Sequence, residues 1–182
     1  REILDKKGHQ FYTQTDTEVL VHAYEEYGID FIKKIRGMFA FALWDAGKKR
    51  LILARDRMGK KPLYYLEKNG ILWFCSEIKS ILVDPLVERK VDLQSLDFYL
   101  AFNYIPSPRT IFQDIRKLPP ATMLICEKGQ TKTEKYWTLD NSIRNSMDEN
   151  EYSDHLYELL NESVKMRLIS DVPLGAFLSG GI

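Results

Sequence analysis

The stretch Asp171-Val-Pro-Leu-Gly-Ala-Phe-Leu-Ser-Gly-Gly-Ile182 contains residues whose types and order suggest chemistry. Residues 172–178 are mostly apolar, which predicts a short buried strand of the parallel kind. Ser179, Gly180 and Gly181 follow, and adjacent glycines let backbone N–H groups approach an anion because no Cβ intervenes. A simple turn is the alternative, since glycine pairs are common in turns. Because an apolar run precedes the glycines and a helix is expected next, we predict the first part of a nucleotide-binding loop.

Asp16 is the second candidate and lies within Thr15-Asp-Thr-Glu18. The spacing predicts a capping box, in which Thr15 caps a helix and Glu18 reaches back to it. An acid in the first helical turn is favoured by the helix dipole, which explains Asp16 without any function. The functional alternative is a carboxylate at the start of a helix that binds the ammonium group of a substrate.

The cysteines and histidines are weaker candidates. Cys75 and Cys126 each end an apolar run, which predicts buried, unactivated thiols rather than nucleophiles. Two distant cysteines also fit a reducing, cytoplasmic compartment. His9, His22 and His155 are scattered along the chain, and their spacing predicts neither a metal site nor a catalytic triad.

Composition excludes several classes of protein. The chain has 182 residues, of which 45% are hydrophobic, so a packed core is expected. Lys plus Arg and Asp plus Glu number 26 each, which argues against nucleic acid or an anionic membrane surface as a partner. No run reaches the ~18 apolar residues that a membrane-spanning helix needs.

The elements that must position these residues change in type along the chain. Residues 38–44 with 50–55, and residues 63–66 with 71–75, predict two hairpins, the second closed by Asn69-Gly70. Antiparallel strands with little helix between them indicate stacked sheet or helix layers rather than βαβ units. The charged run Arg55-Asp56-Arg57 between the hairpins predicts a solvated cluster or a domain-contact surface.

The second part of the chain has a different pattern. Residues 139–150 are polar and aperiodic, which is typical of a linker. Beyond them, Tyr152, Leu156, Leu160 and Val164 form a helical stripe. We therefore predict a first domain over residues 1–138, a linker over 139–150 and the start of a second domain over 151–182.

Several long motifs resemble one family, the glutamine-hydrolysing asparagine synthetases. The motifs lie in the same order as in that family and span essentially the whole chain. They are Thr15-Asp-Thr-Glu18, Arg36-Gly-Met-Phe-Ala-Phe-Ala-Leu-Trp-Asp45, Arg55-Asp-Arg-Met-Gly-Lys-Lys-Pro-Leu-Tyr-Tyr65, Ser76-Glu77, Tyr104-Ile-Pro-Ser-Pro-Arg-Thr-Ile-Phe112, Lys117-Leu-Pro-Pro120 and Ser170-Asp-Val-Pro-Leu-Gly-Ala-Phe-Leu-Ser-Gly-Gly181. Ala121-Thr122 departs from the family's usual Gly-His without affecting a functional position.

The resemblance implies an α+β fold and two half-reactions. The first domain is expected to be an incomplete αββα sandwich of the N-terminal-nucleophile-hydrolase type that releases ammonia from glutamine. The first helix and strand of an α/β ATP-pyrophosphatase domain are expected to follow. In the family this second domain uses ATP and Mg²⁺ to activate aspartate as β-aspartyl-AMP, which ammonia converts to asparagine. A cytoplasmic homodimer is the expected assembly.

The resemblance assigns roles to five residues. Asp16 matches the carboxylate that binds the α-amino group of glutamine. Leu178 matches a residue that touches the ATP base or ribose, and Ser179, Gly180 and Gly181 match the start of the pyrophosphate loop. The family's N-terminal catalytic cysteine would lie upstream of Arg1, so we expect an internal fragment that is inactive on its own.

Two other functions share these motifs. A sister amidotransferase could amidate another acceptor acid, such as the substrate of a β-lactam-forming or cell-surface-modifying ligase. A non-catalytic module could keep the fold as a binding or regulatory surface. A phosphoribosyl-transferring relative is disfavoured, because the Ser-Gly-Gly loop has no place in it.

The sequence also predicts a difference in packing along the chain. Residues 152–182 should be less well packed than residues 37–77, because a helix and strand without sheet partners leave apolar surface exposed.

Overall fold

A computed structural model describes residues 1–142, 147–177 and 180 of the chain. The chain divides into two compact units, Arg1–Leu139 and Asp140–Ile182. Among the described residues, no helix is both long enough and apolar enough to cross a membrane. The regular elements, in chain order, are α1 (Glu2–Asp5), α2 (Asp16–Tyr27), a 3₁₀ helix (Gly28–Lys34), β1 (Ala40–Asp45), β2 (Arg50–Arg55), β3 (Tyr64–Lys68), β4 (Ile71–Cys75), α3 (Ile78–Ile81), α4 (Leu93–Phe102), β5 (Arg116–Lys117), β6 (Thr122–Glu127), β7 (Gln130–Lys135) and α5 (Glu149–Lys165).

Two antiparallel sheets form the centre of the first unit. One has the strand order β1-β2-β6-β7, and the other has the order β4-β3-β5. The hairpin β3–β4 turns at Asn69 (φ 54°) and Gly70 (φ 75°), as its Asn-Gly sequence predicts. In the first sheet, Leu53 of β2 lies opposite Leu124 of β6. The predicted hairpins are therefore confirmed, and their strands belong to two separate sheets.

Alternating side chains of β2 build two layers of the core. Leu53 points toward the second sheet, where it packs in one buried cluster with Leu63, Leu118 and Leu124. Its neighbour Ile52 belongs to the opposite cluster, beneath the helices, because successive strand residues face opposite sides of a sheet.

Helices cover the outer faces of both sheets. α2 ends at Gly28 (φ 59°), where glycine tolerates a backbone conformation that other residues avoid. The 3₁₀ helix that follows buries Phe31 and Ile32 completely in the cluster beneath it. Over the second sheet, Ile81 of α3 packs with Leu66 and Ile115. The resulting order is helix, sheet, sheet, helix, which confirms the predicted αββα sandwich and α+β class.

The second unit contains α5. Asp148 accepts a hydrogen bond from the backbone of Glu151, and the Glu151 carboxylate accepts one from the backbone of Asp148, which forms a complete capping box. No residue of α5 is buried, whereas β2 buries three consecutive residues. The expected difference in packing between residues 152–182 and 37–77 is therefore confirmed for the described part of both segments.

Two predicted strands are not formed. Residues 172–177 are exposed and have no strand pairing, so the buried strand predicted over 172–178 is wrong within the described residues. The described residues of this unit provide no other strand with which residues 172–177 could form hydrogen bonds, and an apolar run needs such a neighbour to become a strand. The sequence also predicts a short strand over residues 9–12, but these residues form no strand in the structure.

Candidate functional site

A pocket of about 700 Å³ lies in the first unit and runs along α2 from Asp16 to Tyr27. Its walls come from α1, α2, the segment that leads into β1, and the loop after β2. Much of the lining is apolar, as at Leu20, Met38 and Phe41. The lining residues with polar or charged side chains are Arg1, Asp16, Thr17, Tyr27, Lys34, Arg36, Lys61 and Ser76. An apolar cavity with a few polar groups is the usual form of a small-molecule site.

Asp16 lies at this pocket, as its candidate role requires. It is the first residue of α2, where backbone N–H groups point outward and negative charge is stabilised. Its carboxylate is exposed and lies 3.5 Å from the hydroxyl group of Thr17. A ligand can therefore reach the carboxylate without displacing a buried partner.

The capping box predicted beside Asp16 is wrong. Thr15 occupies the N-cap position, but its side chain makes no capping hydrogen bond. Glu18 instead accepts hydrogen bonds from the backbone N–H groups of Tyr12 (2.7 Å) and Thr13 (2.8 Å). These bonds hold the segment that precedes α2 against the first turn of the helix, which contains Asp16.

The charge around the pocket is predominantly basic. Arg1, Lys34, Arg36 and Lys61 contribute cations, whereas Asp16 is the acidic residue among the described residues of the lining. Cations attract a carboxylate and an anion attracts an ammonium group. The lining therefore suits a small ligand that carries both charges, such as an amino acid.

Asp56 fixes the wall of the pocket that contains Lys61. Its side chain is only 1% exposed. One carboxylate oxygen accepts from the backbone N–H groups of Met58 (3.1 Å) and Lys60 (3.0 Å), and the other accepts from those of Lys61 (2.9 Å) and Phe39 (3.3 Å). Burial by itself raises the pKa of Asp56, but these four hydrogen bonds outweigh it and hold the pKa below its ordinary value.

Arg55 completes this anchor. Its guanidinium group donates to the backbone oxygens of Lys61 (2.8 Å), Leu118 (2.7 Å) and Gly59 (2.7 Å). Gly59 has φ +65°, and a Cβ there would lie 2.9 Å from Cγ of Pro120. The expectation of a solvated charge cluster at residues 55–57 is therefore wrong for Asp56, because the loop backbone folds around its carboxylate. An aspartate just before a glycine turn often accepts backbone hydrogen bonds, which is a signal that the sequence contained.

The cysteines do not line this pocket. Both are half-buried and free of disulfides. Burial raises the pKa of Cys75, although nearby backbone hydrogen bonds oppose the effect. A thiol with a raised pKa is a poor nucleophile, so the prediction of an unactivated thiol is confirmed at Cys75, whereas the predicted full burial is not found at either cysteine.

Two of the histidines are not scattered, contrary to expectation. Nδ1 of His9 lies 3.2 Å from Nδ1 of His22, because the turn after α1 brings His9 against the side of α2. Glu25 is close to both rings. His155 lies in α5, in the second unit.

The predicted nucleotide-binding loop lies at the end of the second unit. Gly180 is described and exposed. Leu178, Ser179 and Gly181 lie outside the described residues. The assignment of these four residues to a nucleotide site therefore stays a prediction.

Comparisons with known proteins match the two parts of the chain to two family models. The family model for the glutamine amidotransferase domain matches residues 1–137, and the model for asparagine synthase matches residues 155–182. The chain is 36% identical over 183 residues to asparagine synthetase [glutamine-hydrolyzing] 3 of Bacillus subtilis, covering 100% of this chain and 30% of that protein. It is 40% identical over 186 residues to asparagine synthetase [glutamine-hydrolyzing] 2 of the same organism, covering 96% of this chain and 25% of that protein.

A solved structure shares the fold of most of the chain. The glutamine phosphoribosylpyrophosphate amidotransferase of B. subtilis, complexed with ADP and GMP, is similar with a TM-score of 0.51 and 22% identity. The similarity covers 77% of this chain and 26% of that one, and at this identity it concerns the fold alone. Against both asparagine synthetases, the chain spans less than a third of the relative's length.

Proposed function

Because this chain belongs to the glutamine amidotransferase domain family, we propose that the pocket beside Asp16 binds glutamine. The observation that supports this most directly is the position of Asp16, an accessible carboxylate on a pocket whose other charged side chains are basic. Asp16 would accept hydrogen bonds from the α-ammonium group, and the basic wall would attract the α-carboxylate. The apolar lining would pack against the methylene groups.

We propose that the whole protein is a glutamine-hydrolysing asparagine synthetase. Ammonia released from the side-chain amide of glutamine would reach aspartate that ATP has activated as β-aspartyl-AMP. Displacement of AMP by ammonia then forms asparagine. Support comes from the match of residues 155–182 to the asparagine synthase model and from relatives of that name that align with the whole chain.

Within this proposal, the second unit contributes the start of the ATP site. Leu178 would contact the base or ribose, and Ser179, Gly180 and Gly181 would offer backbone N–H groups to the pyrophosphate. Mg²⁺ would accompany ATP as its counter-ion. These roles rest on the sequence motif. A cytoplasmic location, a homodimer and the absence of a nucleic-acid partner also stay predictions from the sequence.

Glutamine binding by the chain tests the role of the pocket. Titration calorimetry should show that Asp16→Asn weakens glutamine binding about tenfold, because a hydrogen bond to a charged group is lost. Asp114→Asn is the control. Asp114 is also an exposed acid, but it pairs with Lys68 (3.2 Å), which is not a lining residue of the pocket.

A glutamine analogue without the α-ammonium group makes the test specific. For this analogue, 4-carbamoylbutanoate, the original chain and Asp16→Asn should bind with equal affinity, because the partner of Asp16 is missing. Equal effects of Asp16→Asn on glutamine and on the analogue would contradict the proposed role. For the whole protein, formation of asparagine and AMP from aspartate, glutamine and ATP is the corresponding assay.

A further inference from the structure

Two histidines and a glutamate converge on one point at the side of α2, away from the proposed glutamine pocket. Nδ1 of His22 lies 3.2 Å from Nδ1 of His9 and 3.0 Å from Oε2 of Glu25. Nδ1 of His9 lies 3.8 Å from the same Glu25 oxygen. None of the three residues lines the pocket beside Asp16. The proposed function leaves this cluster unexplained.

Local structure holds the three side chains in place. His22 and Glu25 are three residues apart on α2, which puts them on the same helical face. His9 follows Gly8 (φ 93°), and its backbone N–H donates to Leu4 O at 3.1 Å. Phe11 packs edge-on against the His22 ring, with 4.6 Å between ring centroids.

Carboxylates also lie behind the two imidazoles. Nε2 of His9 lies 3.1 Å from Oε2 of Glu26, within hydrogen-bond distance, and Nε2 of His22 lies 3.8 Å from Oε1 of Glu18. In the tautomer with the proton on Nε2, each ring has a lone pair on Nδ1 that could bind a metal ion.

We propose that His9, His22 and Glu25 bind a divalent transition-metal ion of the zinc class. A tetrahedral zinc ion with ligands at ~2.0–2.1 Å separates neighbouring ligand atoms by ~3.3 Å. The three observed separations, 3.2, 3.0 and 3.8 Å, lie around that value. Two imidazole nitrogens and one carboxylate oxygen are a common zinc ligand set. A carboxylate that accepts from the other ring nitrogen, as Glu26 can from Nε2 of His9, is the usual support of a metal-binding histidine.

The fourth coordination position would be open to solvent, because the Glu25 side chain is 56% exposed. Water would complete the tetrahedron there. The ion would join the segment after α1 to α2, the helix whose first residue is Asp16. The alternative occupant of the central position is a proton shared by the two Nδ1 atoms, and a metal titration distinguishes the two.

Metal binding by the chelator-treated chain tests the proposal. Zn²⁺ titrated by calorimetry should bind with a stoichiometry of one. Co²⁺ should give the intense visible absorption of a tetrahedral site with nitrogen and oxygen ligands. His9→Gln and His22→Gln should each weaken Zn²⁺ binding by more than the about 10- to 100-fold expected for Glu26→Gln, which removes only the carboxylate behind His9. His155→Gln should bind Zn²⁺ like the original chain, because His155 lies in the other unit.

Glu25→Gln separates metal binding from folding, because its exposed side chain supports no part of the core. This variant should keep the melting temperature of the metal-free chain and lose most of the increase that Zn²⁺ produces. Failure of the original chain to bind Zn²⁺ would leave the shared proton as the occupant and overturn the proposal. Unchanged Zn²⁺ binding in His9→Gln, His22→Gln and Glu25→Gln would also overturn it, because the ion would then be held elsewhere.

Discussion

Asp56→Asn removes one charge from the anchor of the pocket wall and leaves the size of the side chain unchanged. In the protein, each carboxylate oxygen accepts two backbone N–H groups. An asparagine has one oxygen and one NH₂ group, so two of the four N–H groups lose their acceptor in either orientation. Each lost hydrogen bond to this buried, charged group costs about 1–3 kcal/mol. The expected loss in the free energy of unfolding is therefore about 2–6 kcal/mol.

Urea unfolding followed by tryptophan fluorescence reports the unfolding of the first unit, which contains Asp56. The three tryptophans, Trp44, Trp73 and Trp137, all belong to the first unit. Asp114→Asn is the matched control, since it makes the same chemical change at an exposed ion pair and should cost less than about 1 kcal/mol. A loss for Asp56→Asn as small as that of the control would refute the argument that the four N–H groups depend on a carboxylate.

Three further substitutions test other parts of the first unit. Gly59→Ala should reduce the free energy of unfolding by about 1–3 kcal/mol, because φ is +65° and the new Cβ would lie 2.9 Å from Pro120; urea unfolding checks this. Phe31→Ala should reduce it by about 3–5 kcal/mol in the same assay, because the fully buried ring would leave a cavity under the helices. Glu18→Gln should be less stable than the original chain above pH 4.5, and the difference in melting temperature should vanish as the pH falls toward 2. This window follows from the lowering of the Glu18 pKa from 4.5 to about 2, because the stabilisation by ionised Glu18 is lost as the folded state takes up the proton.

Local signals in the sequence predicted most of the first unit. The Asn69-Gly70 turn and its two flanking strands depend on neighbouring residues alone, and the hairpin formed as expected. Asp92 accepts a hydrogen bond from Gln94 N–H at the start of α4, as a helix-capping aspartate should. β5 was not predicted, because two residues are too short to show a period.

The expected strand over residues 172–178 shows the limit of such signals. The apolar run is a property of the sequence, but a strand also needs a neighbour that accepts and donates its hydrogen bonds. β6 has two such neighbours, β2 and β7, and buries four consecutive residues. Residues 172–177, which lack a described neighbour within their unit, are exposed. An apolar run therefore indicates that a segment can form a buried strand, but the strand forms only where a neighbouring strand supplies its hydrogen-bond partners.

The candidate sites also differ in whether local sequence is enough to predict them. Asp16 could be singled out because its motif and its place at a helix start are local, and the structure puts it on a pocket. The cluster of His9 and His22 was not predicted, because the two rings meet only through the path that the backbone takes at Gly8. The spacing of residues in the sequence does not reveal that path. Part of the signal was nevertheless present, since Glu18, His22 and Glu25 recur at four- and three-residue intervals on one helix. A histidine flanked in this way by acids on a helical face merits a search for a second histidine at the adjoining turn.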